Sequence, residues 1–226
     1  MTSLSTKTSA PTKAAHAATA PRAGAVAGIL FAALFGISIV LIRLSVLAGS
    51  AEVPAWTANT LSRATLALRL IPFACIFFLW FVGVIRDRLG AFEDKFFATV
   101  TLGSALVFVA LTLASSAITG GLFYIYSTSG SQALPLGVYP FVHSIINLAF
   151  NNYTVKMASV FMFSLGTLWR STGVMPRPLS WITYLLALVM LVGFSQSLWM
   201  LLIFPTWVLL VSVYILITNL QRKGSR

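Results

Sequence analysis

Runs of about 20 apolar residues recur along this chain, each long enough to cross the hydrocarbon core of a bilayer. That recurrence leaves few folds open. Of the 226 residues 58% are hydrophobic and 8% charged, against about 25% charged in a soluble domain, and a globule of this size could not bury so much apolar surface. The expected fold class is therefore all-α: a polytopic integral membrane helix bundle of about six transmembrane helices plus one short interfacial or re-entrant helix. The spans are expected from about Gly24 to Ala48, Arg63 to Ile85, Phe96 to Ile118, Asn152 to Trp169, Leu179 to Phe194 and Leu198 to Thr218.

These spans form a single domain over 23–219. The acid-free Ser/Thr/Ala/Pro start, 1–22, reads as a disordered basic cytoplasmic tail, and 220–226 as a second basic tail. Two processing alternatives stay open for the start. One is a secretory signal, although its apolar core from Gly24 to Ile42 exceeds the usual ~7–15 residues; the other is an organellar transit peptide.

The stretch from Val138 to Arg170 is longer than one span and carries a polar break at Asn151-Asn152. Charge settles how it is expected to cross. With the N-terminus inside and one crossing here, eleven of the 15 basic residues fall on cytoplasmic segments, and Arg43, Arg63, Arg69 and Lys156 lie outside or in the outer half. Two crossings would send the Arg170–Pro178 turn and the basic tail outside. Val138 to Phe150 is thus expected to lie on the outer surface or to dip in and return. Gly120-Gly121 is expected to end or kink the third helix, with 122–137 as an interfacial loop and Trp56 in an interfacial belt.

Lys156 is the awkward charge. By helical rise it lies about 21 Å from Arg170, several ångströms inside the hydrocarbon, whereas Arg43 and Arg69 reach the outer headgroups. One reading gathers Lys156, Arg69, Arg43, His143, Asn147, Asn151 and Asn152 around an outward-facing pocket for an anionic ligand. The other has Lys156 snorkelling while the asparagines cap a helix start. Gly24, Gly28, Ala32 and Gly36 recur at every fourth position and form a small-residue stripe where another backbone can approach closely. Phe73, Phe77 and Phe81, joined by Phe78 and Trp80, read as lipid-facing or packed in the bundle rather than as a platform for an aromatic ligand.

Several chemistries lack their residues. All four acids, Glu52, Asp87, Glu93 and Asp94, fall in expected loops, so no intramembrane carboxylate offers proton or sodium coupling. One cysteine, Cys75, and two histidines make no zinc or haem set, and Cys75 reads as a small buried hydrophobe. There is no hydrolase elbow, phosphate-binding glycine loop or transporter-type repeat. No cofactor is expected, and an enzyme is disfavoured. The net charge of +11 points to anionic lipid headgroups rather than nucleic acid.

Phe163-Ser164-Leu165-Gly166-Thr167-Leu168, Gly173-Val174-Met175-Pro176-Arg177 and Leu179-Ser180-Trp181, with Gly28-Ile29-Leu30-Phe31, resemble a broad group of uncharacterised bacterial multi-pass membrane proteins. In that group a helix ends in a small cytoplasmic turn and a tryptophan opens the next helix. The chain departs from the pattern at Pro178. The resemblance implies about six helices in a bacterial plasma membrane and no known activity. The expected function is a non-enzymatic accessory, scaffold or lipid-binding component, associating with a membrane partner or a second copy. The alternative is a carrier for a small anionic or amphipathic solute.

Overall fold

The computed structural model describes residues 12–45, 56–89, 95–129, 137–193 and 198–224. Its elements are all helical: α1 (Thr12–Ser45), α2 (Ala58–Leu89), α3 (Lys95–Ser129), α4 (Val138–Asn147), a π-helical segment (Leu148–Thr154), α5 (Val155–Thr172), α6 (Arg177–Val192), α7 (Leu198–Leu201) and α8 (Ile203–Gly224). Arg22–Leu44, Ala58–Asp87 and Phe96–Thr128 are long and apolar enough to cross a membrane. Arg177–Val192 and Ile203–Thr218 are shorter apolar helices. Leu66, Phe73, Trp80, Leu185, Val192 and Leu210 are exposed on their outer faces, an apolar exterior that suits lipid rather than water.

The helices run longer than the apolar patterning suggests. α1 begins at Thr12, so the expected disordered tail is helical from there on, through the alanine-rich residues 14–20 and Pro21; residues 1–11 lie outside the described residues. α8 likewise carries the C-terminal tail to Gly224. α3 does not stop at Gly120-Gly121 but continues to Ser129. Leu122 and Phe123, just beyond the glycines, are buried against Trp56, Ala64 and Tyr139, and that packing outweighs the poor helix propensity of two glycines. Trp56 is accordingly enclosed by the protein and does not face lipid. It is boxed by Phe123, Tyr126 and Tyr139, and its backbone N–H donates to the Tyr126 hydroxyl at 3.1 Å.

The largest departure concerns 138–172. α4, the π-helical segment and α5 join without a break, since the residues capping the π segment, Asn147 and Val155, both hold right-handed helical angles. α3 packs against all three in turn, so the rod lies alongside α3 and neither reverses nor lies apart as a short surface or re-entrant helix. The polar run does not break the helix; it widens one turn. The Thr154 hydroxyl donates to the Ala149 carbonyl at 2.8 Å, five residues back, matching the π spacing. Between α7 and α8 the short break at Leu202 has a covalent cause: Pro205 cannot donate to the Leu201 carbonyl, and its ring crowds it.

α1 packs along α2 and α8, α3 against α2 and the 138–172 rod, and α6 against α5. Their meeting point is aromatic. Phe78 of α2 lies 4.9 Å from Phe31 of α1, 5.2 Å from Phe108 of α3, 5.3 Å from Phe161 of α5 and 5.5 Å from Phe204 of α8, centroid to centroid. Trp207 continues the cluster from Phe161 to Trp169. All these rings are buried, so the centre of the bundle is filled. Lipid chains are as apolar as the side chains, so close van der Waals contact and ring geometry hold such a centre together, at about 0.5–1.5 kcal/mol per well-placed ring pair.

Candidate functional site

Most buried hydroxyls on these helices satisfy themselves locally. Ser38, Thr101, Ser104, Thr112, Ser116, Thr119 and Thr183 each donate to the carbonyl four residues back, at 2.7 to 2.9 Å. This is how a helix carries Ser and Thr through an apolar environment. The exceptions are therefore informative. Among the described residues, Ser115, Ser180 and Ser212 have buried hydroxyl oxygens without a hydrogen-bond partner.

Ser212 is explained by the small-residue stripe. A Cβ on Gly28 would strike the Ser212 hydroxyl and lie 2.7 Å from the Phe81 ring, and one on Gly24 would lie 2.5 Å from Val84. Gly24 and Gly28 thus let α2 and α8 approach α1 within the same chain, which removes them from any contact with another molecule. Ala32 is buried as well, but its neighbour along the stripe, Gly36, has open space above it and borders an apolar groove with Ile37, Val40 and Leu202.

The polar candidates around Lys156 are only partly brought together. His143, Asn147 and Asn151 follow at four-residue spacing; the Asn151 amide donates to the Asn147 side-chain oxygen, and the His143 ring lies 5.8 Å from that of Tyr139. Asn152 and Lys156 are half-buried farther along the same rod, Arg43 is half-buried near the end of α1, and Arg69 is exposed on α2. None of these residues lines the cavities at the α5–α6 turn or between α2, α3 and α5, or the groove beside α1.

The α5–α6 turn carries the more developed site. Gly173 closes α5 in the left-handed conformation, φ 66°, with its N–H donating to the Trp169 carbonyl at 3.0 Å. Pro176 is extended and caps α6, and Pro178 sits in the first turn, where a missing N–H costs nothing. This compact turn frames a cavity of about 700 Å³ lined by Trp169, Arg170, Gly173, Met175, Pro176, Arg177, Ser180 and Trp181. Among the described residues two arginines and no acid line it. The Arg170 guanidinium lies 5.1 Å from the centre of the Trp181 ring. Sequence reasoning treated this turn as a topology signal; the cue it passed over was the pair Arg170 and Arg177 flanked by Trp169 and Trp181.

Among the described residues no three His, Cys, Asp or Glu side chains are grouped to hold a metal ion. No family model, curated protein or solved structure matches the chain.

Proposed function

We propose that this chain is a multi-pass membrane protein of six crossings that works without catalysis, as an accessory, scaffold or lipid-binding component of a bacterial plasma membrane. The six crossings are α1, α2, α3, the 138–172 rod, α6, and α7 with α8, with both termini on the cytoplasmic side. The charge asymmetry along the sequence supports this order, as does the placement of Arg170 and Arg177 together at one end of the α5–α6 pair.

The observation that carries the choice between component and carrier is the filled centre. A carrier must open a path along the bundle, and here rings from five helices interlock at the middle, where Phe108 and Phe204 lie 4.8 Å apart. The test is flux. Reconstituted in vesicles, the protein should pass chloride or a small fluorescent anion no faster than empty vesicles do. Anion flux that is lost in Lys156→Leu or Arg69→Leu would replace this proposal with a carrier.

A further inference from the structure

We infer that the cavity between α5 and α6 binds a phosphate group, either the headgroup phosphate of an anionic lipid or free phosphate. The inference deepens the lipid-binding proposal and rests on it only in placing the turn at headgroup level. Four features converge. Arg170 and Arg177 both line the cavity, and among the described residues no acidic side chain does, so two positive charges gather there. Arg170 is already positioned by its contact with Trp181, leaving its N–H fork less to lose on binding. α6, a 16-residue helix, begins at the cavity with Pro176 and Arg177, so the positive end of its dipole and its unpaired first N–H lie at the site.

Ser180 is the independent observation. It is 1% exposed, it lines the cavity, and its Oγ has no partner. The usual local solution is occupied: the Pro176 carbonyl, four residues back, already accepts the N–H groups of Leu179 and Ser180 at 3.1 and 3.3 Å. A buried hydroxyl left without a partner forfeits its hydrogen bonds to water, a loss that a ligand oxygen at this position would offset. Two guanidinium forks and a helix-start N–H are donors only and the Ser180 hydroxyl can donate, so a tetrahedral phosphate presents acceptors in enough directions to meet them. The volume exceeds that of a bare phosphate and leaves room for the glycerol of a lipid beside Trp169 and Met175.

The test is a thermal-unfolding titration of the purified full-length chain in neutral detergent. Its probes are sodium phosphate against sodium chloride at matched ionic strength, dioleoyl phosphatidic acid, and dioleoyl phosphatidylcholine. Saturable stabilisation by phosphatidic acid alone assigns the site to a headgroup; equal stabilisation by sodium phosphate assigns it to the free ion. Arg170→Gln and Arg177→Gln should each weaken the apparent affinity about tenfold or more, the loss expected for a charged hydrogen bond. Ser180→Ala should leave the free protein as stable as before or more so, while weakening binding several-fold. That combination is not expected of a residue with a purely structural role, and it keeps the test open if an arginine variant fails to fold. Stabilisation by neither probe, equal stabilisation by phosphatidylcholine, or unchanged affinity in the variants would overturn the site. A cysteine at Val174 that labels from the outer side would move the turn to the other leaflet without touching phosphate binding, so the two failures are distinguishable.

Discussion

Phe78 and Phe73 are the same residue type on the same helix with opposite circumstances. Phe78 is 0% exposed, with five other rings inside 6.5 Å, whereas Phe73 is 58% exposed. Phe78→Ala should lower stability by about 3–5 kcal/mol, the cost of emptying a packed aromatic site. Phe73→Ala should change it little, and melting temperatures in one detergent would compare the two directly. Gly28→Ile should destabilise the single chain by about 1–3 kcal/mol or more through overpacking against Phe81 and Ser212, whereas Gly36→Ile, with open space above it, should fold normally. If Gly28→Ile instead left stability intact and changed only the oligomeric state, the close approach of α1 to α2 and α8 would be wrong. Spacing alone could not separate these residues. In a membrane protein the outside is as apolar as the core, so four-residue periodicity marks a helix without saying which face is lipid.

At the level of the elements, the apolar runs were legible and their ends were not. Where no water is available, each backbone N–H and C=O must find its partner inside the helix, so a helix runs through glycines and polar residues that would end it in water. α3 also has the packing of Leu122 and Phe123 to carry it past Gly120-Gly121, and the asparagine run at 151–152 widens a turn instead of breaking the rod. The π segment also sets register. It carries Tyr139 into the box around Trp56 while Phe161 and Trp169 face the central rings. Inserting one alanine between Asn147 and Leu148, outside the widened turn, would rotate Tyr139 by about 100° relative to α5. The variant should melt at lower temperature and change its tryptophan emission, whereas Asn152→Ala should do neither. Identical melting in the insertion and the wild type would mean that the register of Tyr139 against Trp56 adds nothing to stability.

For the whole molecule, composition alone marks a chain for the bilayer, and among the described residues three helices are long and apolar enough to cross one. The candidate site was less legible. The pocket expected around Lys156 came from a depth argument that took each charge singly. The α5–α6 cavity depends on a left-handed glycine, an extended proline and an unpartnered serine acting together, and none of those states is printed in residue type. The proposed bundle of six crossings places the α3 end and the α5–α6 turn on opposite faces of the membrane. Single cysteines at Ser127 and Val174, both exposed, test it with an impermeant thiol reagent on intact cells. Val174 is used rather than Gly173, whose positive φ would strain any side chain. The expected result is labelling of Ser127→Cys from outside and of Val174→Cys only after the membrane is opened. Labelling of both from the same side would contradict it.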